Sequence, residues 1–205
     1  IVRVVTPGTV TEDSILPARR AQALVAVGVA KGGTEIGVAV CDVSTGAFEV
    51  AAVAPETLGD ALSAVGATEI LATEADLDRP LVSLALGAVD APVTARPDRS
   101  AGVKAGERLL KDAFDVGALD AFGAFSRAEM AACALLLDYL KLTQAGGDIR
   151  LDPPRRPAPS SALAIDPATR ASLEIDRSMA GTRRGSLLAT VDRTLTAPGA
   201  RLLAD

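Results

Sequence analysis

Residues 35–53 have the sequence EIGVAVCDVSTGAFEVAAV, which alternates between two faces as a pair of β-strands does. In its first half both faces carry small or apolar side chains, which is typical of a strand covered on both sides. A cluster of turn-forming residues, Asp42 to Gly46, interrupts the alternation, and Phe48 starts it again. The stretch therefore predicts a hairpin at the centre of a sheet, with helices above and below it.

Apolar segments around this hairpin supply the remainder of a predicted α/β domain. A strand that returns after a helix, parallel to an earlier one, forms the usual crossover unit. The predicted strands are 2–5, 24–29, 69–72 and 93–95, the last at an edge, and the predicted helices are 55–65, 77–86 and 100–114. We expect a mixed sheet flanked by helices.

The character of the chain changes after residue 125. Residues 1–126 carry 10 basic and 17 acidic side chains, whereas residues 127–205 carry 11 and 9. A long helix is predicted over 127–144, followed by a surface connector with prolines at 153, 154, 157 and 159. Shorter helices are predicted to begin at Pro167, with Asp166 as N-cap, after Ser186 and at Thr196. We therefore predict an α/β domain over 1–125 and an all-helical segment over 126–205.

Composition excludes several classes of chemistry. The 205 residues include no histidine, which rules out Ser-His-Asp and Cys-His catalysis and the usual zinc sites. A net charge of -5 argues against a broad nucleic-acid-binding surface. The hydrophobic fraction of 49% is enough to form a core.

The ends of the chain and its cysteines suggest a context. The sequence begins at Ile1 and stops at Asp205 inside a helical pattern, so we expect a piece of a longer protein. No apolar run approaches the roughly 18 residues that a membrane span needs, and no signal segment is present. Two cysteines, Cys41 and Cys133, fit buried thiols in a reducing compartment. The sequence predicts a cytoplasmic protein without membrane contact.

Five short motifs in series resemble one family. They are TPGT at 6–9, DVSTGAF at 42–48, YLKLTQ at 139–144, IDPATR at 165–170 with Leu173-Glu174, and GSLL at 185–188 continuing through DRT at 192–194 to GARLL at 199–203. In this order and spacing they resemble bacterial mismatch-repair proteins of the MutS family. Two departures are Ser172, where the family usually has Asn, and Pro198 before the last motif.

This resemblance implies both a fold and a role. Residues 1–125 would be an RNase H-like connector domain, and residues 126–205 the beginning of the helical core, or lever, domain. The resemblance also implies that mismatched duplex DNA and ATP with Mg²⁺ bind to parts of the family protein other than this piece, and that the full-length protein is a homodimer. The piece itself would be non-catalytic, without catalytic, cofactor-binding or metal-binding residues, and would couple DNA binding and ATP state to recruitment of the partner MutL.

An RNase H-like fold also allows a different function. In that alternative Asp42, at the end of a strand, is one of several carboxylates that hold two Mg²⁺ ions in a nuclease, with Glu69 and Glu74 as the nearest candidate partners. The competing interpretation is that Asp42 hydrogen-bonds the backbone of Ser44 and Thr45 in its own turn. The turn is favoured, because it requires only one carboxylate. A protein-binding module from an unrelated pathway is a third possibility.

Charged residues on the predicted helix 100–114 are the candidate partner site. Lys104, Glu107, Arg108 and Lys111 form its outer face, which is either simply solvated or, as the resemblance implies, the surface that receives MutL. Four arginines elsewhere are open to two interpretations, contact with DNA phosphate or an acidic neighbour, or else solvation and interdomain pairing. They are Arg155, Arg156, Arg183 and Arg184. The second is favoured, because they occur only in twos and without aromatic residues.

Overall fold

The computed structural model describes residues 6–9, 23–30, 32, 34–144, 150–157, 167–196, 199–200 and 203, in two compact units. Unit 1 comprises residues 1–10 and 22–158, and unit 2 comprises residues 11–21 and 159–205. The predicted strand over 2–5 and the predicted N-cap Asp166 lie outside the described residues.

A five-stranded mixed sheet forms the middle layer of unit 1. Its strands are β1 (Ala23–Val29), β2 (Ile36–Asp42), β3 (Phe48–Val53), β4 (Glu69–Thr73) and β5 (Val93–Arg96). The spatial order is β3-β2-β1-β4-β5, in which β1, β2 and β3 are antiparallel neighbours while β4 and β5 run parallel to β1. The predicted α/β class is confirmed.

The β2–β3 hairpin forms, but the prediction that it lies at the centre of the sheet is wrong. The central strand is β1, because β4 pairs with the side of β1 that β2 leaves open. Strand β2 is covered on both faces, and β3 is the outermost strand. Hydrophobic alternation reports which faces of a strand are covered, whereas strand order depends on pairing between segments that are distant in sequence.

Helices cover both faces of this sheet. In the described part of unit 1 they are α1 (Leu58–Val65), α2 (Glu74–Leu77), α3 (Pro80–Gly87), α4 (Val103–Phe114) and α5 (Arg127–Thr143). Helices α1 to α3 pack on one face, and α4 and α5 pack on the other. Of the helices that the structure describes, none combines the length and apolar character needed to cross a membrane.

Helix α5 lies directly on the sheet because two glycines leave room for its backbone. Gly28 in β1 and Gly37 in β2 are opposite each other in the strand register. A Cβ atom at Gly37 would collide with the carbonyl group of Ala128, and one at Gly28 would collide with the amide nitrogen of Ala132. At this point no side chain of the sheet separates the helix from the two strands.

The structure places α5 in unit 1, beyond the boundary predicted at residue 125. The apolar stripe of α5 was correctly expected, but it packs on β1, β2 and α4 rather than within a separate helical segment. An apolar stripe shows that a helix has a partner, not which partner it has. Unit 1 continues after α5 and ends at Ala158.

The described residues of unit 2 form helices and turns without a strand. Helix α6 spans Pro167–Ser172 and helix α7 spans Leu187–Val191. Ser186 caps α7, as predicted, by accepting a hydrogen bond from the amide of Ala189 at 3.1 Å. Gly199, Ala200 and Leu203 are helical, and the Thr196 hydroxyl accepts the Gly199 amide at 3.2 Å.

A buried carboxylate ties the TPGT segment, residues 6–9, to the sheet. Glu69, at the start of β4, is 1% exposed. Its Oε2 accepts hydrogen bonds from the Thr6 hydroxyl at 2.7 Å and the Gly8 amide at 2.9 Å. Its Oε1 accepts hydrogen bonds from the hydroxyls of Thr94 at 2.7 Å and Tyr139 at 2.6 Å. A buried charge is stable only when it is hydrogen-bonded in this way, so the carboxylate joins four separate segments.

Further contacts brace this junction from the side of α5. The Arg96 guanidinium lies 5.4 Å from the centre of the Tyr139 ring and donates a hydrogen bond to Asp138 at 3.0 Å. The side-chain amide of Gln144 donates to the carbonyl oxygen of Thr9 at 3.3 Å. Segment 6–9 is therefore held by Glu69 of β4 and by Gln144 at the end of α5.

The glycine contact makes a prediction about stability. Gly37→Ala is expected to lower the free energy of unfolding by about 3 kcal/mol, because the new methyl group must displace the backbone of α5. Gly59→Ala is the matched control, since its Cβ would lie 3.9 Å from Ala85 and alanine favours the helix by about 0.5–1 kcal/mol. Urea unfolding followed by circular dichroism measures both. Equal midpoints for the two variants would contradict the close packing described above.

The buried tyrosine makes a second prediction, which is simple to measure because Tyr139 is the only tyrosine of the chain. Burial, and then the hydrogen bond to Glu69, raise the pKa of Tyr139 above its ordinary value near 10. The folded state therefore holds this proton more tightly than the unfolded state. The resulting stability is fully present below about pH 10 and is lost as the pH rises through the folded-state pKa.

Near-ultraviolet absorbance of the phenolate measures this titration directly. We expect the native chain to titrate above the midpoint of the same chain in concentrated urea. Tyr139→Phe should remove the absorbance change and lessen the loss of stability in alkali. A native midpoint at or below the denatured one would contradict the burial of Tyr139 and its hydrogen bond to Glu69.

Candidate partner-binding surface

Helix α4 presents the predicted partner-binding residues on one side, which we call the α4 face: Lys104, Glu107, Arg108 and Lys111. The first three side chains are exposed and Lys111 is partly exposed. Their spacing of three or four residues brings them together on the helix. The other side of α4 is fixed, since Leu109 and Leu110 are buried in the core between the helices and the sheet.

Close backbone packing also holds α4 against α5. A Cβ at Gly106 would collide with the carbonyl oxygen of Met130, so the absence of a side chain allows the two helices to touch. Lys141 of α5 and Asp112 of α4 add an exposed ion pair at 3.7 Å, which contributes little in water. The α4 face is thus mounted on a rigid support.

The charges of the α4 face are unevenly balanced. The Lys111 ammonium donates a hydrogen bond to Oε1 of Glu107 at 2.7 Å. This hydrogen bond, reinforced by the lysine's charge, lowers the pKa of Glu107 below its ordinary value. Lys104 and Arg108 lie four residues apart and have no ion-pair partner within the described part of the chain. The face therefore offers two adjacent cations to an acidic surface.

Asp42 has a structural role in its turn. Its Oδ1 accepts hydrogen bonds from the amide of Ser44 at 2.8 Å, the hydroxyl of Ser44 at 2.6 Å and the amide of Thr45 at 3.3 Å. Gly46 completes the turn with a positive φ of 86°, which glycine adopts without strain. The predicted turn contacts of Asp42 are present.

The two candidate partners of Asp42 for a metal are separated by the sheet topology. Because β2 is antiparallel and β4 parallel to β1, Asp42 and Glu69 lie at one end of the sheet, whereas Glu74 follows β4 at the other end. Both oxygens of Glu69 are occupied by the donors of segment 6–9, Thr94 and Tyr139. Within the described residues, no three potential ligands from His, Cys, Asp and Glu come together as a metal site would require.

The two cysteine thiols lie in the core. Cys41 and Cys133 are both unpaired and fully buried. Burial, with a smaller contribution from the charge of Asp42, raises the pKa of Cys41 to about 12. Burial likewise raises the pKa of Cys133. Since the thiolate is the reactive form, neither thiol is suited to nucleophilic chemistry.

Three of the four singled-out arginines are paired inside their own unit. Arg155 lies 3.5 Å from Asp152, and Arg156 donates to the buried Glu129 at 2.9 Å. In unit 2, Arg183 donates to Asp192 at 2.7 Å, while Arg184 is exposed. These ion pairs lie within a unit, so they are not the interdomain pairing that the sequence interpretation favoured.

The sequence interpretation did not foresee the structural roles of the two fully buried glutamates. Glu69 was considered only as a possible metal ligand beside Asp42, although it is a charged residue at the start of an otherwise apolar strand. Glu129 had a clearer signal, because it follows Ser126 by three residues in the pattern of a capping box. The structure contains that box, in which the Ser126 side chain accepts the Glu129 amide at 3.2 Å and Glu129 accepts the Ser126 amide at 2.6 Å.

Comparison with known proteins gives consistent matches. The family MutS domain II matches residues 22–153. The DNA mismatch repair protein MutS of Caulobacter vibrioides is 46% identical over 204 residues, covering 100% of this chain and 22% of that protein. The corresponding protein of Paracoccus denitrificans is 44% identical over 204 residues, covering 99% of this chain. That of Azorhizobium caulinodans is 41% identical over 208 residues, covering 100% of this chain. Each of these two alignments spans 22% of the relative.

The matched region corresponds to the layered unit of the structure. Residues 22–153 include all five strands and helices α1 to α5, with the α4 face and the Glu69 junction among them. The chain spans about a fifth of the length of these relatives. The family match and the full-chain identities together show that the chain belongs to the MutS family of DNA mismatch repair proteins and contains their domain II.

Proposed function

We propose that this chain acts in DNA mismatch repair as a non-catalytic connector whose α4 face binds MutL. The observation that carries the proposal is the pair of unbalanced cations, Lys104 and Arg108, on a helix fixed to α5 by backbone contact. Such a surface can bind an acidic partner through charge-assisted hydrogen bonds without reorganising itself. Family membership supplies the biological setting.

In this proposal the chemistry occurs elsewhere in the longer protein. ATP with Mg²⁺, mismatched duplex DNA and the homodimer contact are assigned to regions outside this chain, and unit 1 passes their state to MutL. We also assign the protein to the bacterial cytoplasm, which suits the two buried free thiols. Coupling between two binding events requires a structural element whose conformational equilibrium is shifted by both of them. Helix α5 is a suitable element, because it contacts the sheet, α4 and the Glu69 junction.

A charge reversal on the α4 face tests the proposal. Arg108→Glu is expected to weaken binding of purified MutL about tenfold or more, because it places a like charge opposite an acidic surface. Isothermal titration calorimetry with the 205-residue chain measures the dissociation constant. Arg108→Lys, which keeps the charge, should retain most of the affinity.

Arg79→Glu is the matched control for this experiment. Arg79 undergoes the same change of charge, is 45% exposed and lies beside α3 on the opposite face of the sheet, where it pairs with Asp76. Its reversal is expected to change the affinity for MutL by less than about twofold, as for a residue outside an interface. Unchanged binding by Arg108→Glu, with a native circular dichroism spectrum, would contradict the proposed surface.

A further inference from the structure

Residues 150–157, which we call the strap, lie along the outer edge of β3. The amide of Arg155 donates to the carbonyl of Phe48 at 3.1 Å, and the amide of Val50 donates to the carbonyl of Arg155 at 2.9 Å. At the hairpin turn, the amide of Asp152 donates to the carbonyl of Gly46 at 2.7 Å. The strap therefore occupies the place of a sixth strand, parallel to β3.

The backbone attachment of the strap is limited. Pro153 and Pro154 have no amide hydrogen to donate, and the only β-bridge to β3 joins Glu49 and Arg155 among the residues that the structure describes. Pro154 is buried, but its charged neighbours Asp152 and Arg155 are exposed. A ladder this short is weak by itself, so side-chain contacts must also hold the strap. Leu151 supplies one of them, because it packs against the core between the sheet and helices α4 and α5.

Arg156 supplies the strap with a polar contact as well. Nη2 of Arg156 donates to the carbonyl oxygen of Ala124 at 2.7 Å and to Oε2 of Glu129 at 2.9 Å. Glu129 is 0% exposed, and its Oε2 also accepts the amide of Ser126 at 2.6 Å. Its Oε1 has no hydrogen-bond partner in the described part of the chain. Arg156 therefore donates to a buried carboxylate that has hydrogen-bond donors at only one of its two oxygens among the described residues.

We propose that the strap is a detachable strand, and that Arg156, held by Glu129, is the positioning residue that keeps it attached. The chain passes from unit 1 to unit 2 immediately after the strap, at Ala158. Detachment frees eight residues, which span about 26 Å when extended. This proposal does not depend on whether MutL binds the α4 face.

Hydrogen exchange measured by NMR on the intact 205-residue chain tests this proposal without a mutation. The amides of Val50, Asp152 and Arg155 should exchange through a shared local opening. Amides of β1, which lie between two strands, should require a much rarer opening. Exchange of the strap amides only at the rate of the β1 amides would overturn the proposal, because the strap would then open only with the whole unit.

Two adjacent arginines provide matched variants. Arg156→Gln is expected to speed exchange at Val50 and Arg155 about tenfold or more, since a hydrogen bond to a buried charge is lost. Arg155→Gln removes a side chain that is 62% exposed and lies 3.5 Å from Asp152, and it should leave exchange at Val50 nearly unchanged. Equal effects of the two substitutions would overturn the assignment of Arg156.

A double variant separates the ion pair from a general loss of packing. Glu129→Gln keeps an acceptor for the capping box but removes the charge. In the Glu129→Gln background, Arg156→Gln should therefore have a clearly smaller effect on Val50 exchange than it has in the natural chain. Additive effects of the two substitutions would show that Arg156 does not act through Glu129, and would overturn the proposal.

Discussion

The contact between the backbone of α5 and the glycine pair of β1 and β2 is the constraint on which unit 1 depends. Gly28 and Gly37 must both lack a side chain, because they face each other in register beneath Ala128 and Ala132. Protein interiors are packed densely enough that even one methyl group has to be accommodated by displacement. The position of α5 therefore fixes the position of every side chain that α5 carries.

Two buried carboxylates use this fixed position to hold segments that are distant in sequence. Both oxygens of Glu69 have two donors each, and Tyr139 of α5 is one of them. Glu129, on α5 itself, has donors at Oε2 only, among the residues that the structure describes. Because a buried charge that loses a hydrogen bond is destabilised, each carboxylate opposes release of the segment that it holds.

Local features of this fold could be predicted from the sequence, whereas long-range ones could not. The turn at Asp42 to Gly46 and the cap at Ser186 depend on residues within a few positions, and both form as expected. Strand order and the placement of α5 depend on which surfaces meet. The sequence signal for the placement of α5 was the absence of side chains at Gly28 and Gly37. Hydrophobic periodicity does not detect this signal, because glycine adds no side chain to either face of a strand.

The candidate site likewise combines local features that could be predicted with long-range contacts that could not. Helical spacing was sufficient to place Lys104, Glu107, Arg108 and Lys111 on one exposed face. The ion pair between Lys111 and Glu107 could also be expected from that spacing, but the support behind α4 could not. The close approach of Gly106 to Met130 and the junction at Glu69 each join segments that only the folded chain brings together.

These contacts have a mechanical consequence for the proposed function. Helix α4 touches the backbone of α5 through Gly106, and Glu129 near the start of α5 holds the strap through Arg156. The α4 face and the strap are therefore attached to one helix that cannot shift without disturbing the glycine contact on the sheet. Coupling between two sites is reciprocal in free energy. If detachment of the strap alters the affinity of the α4 face by some factor, a partner bound there must shift detachment of the strap by the same factor.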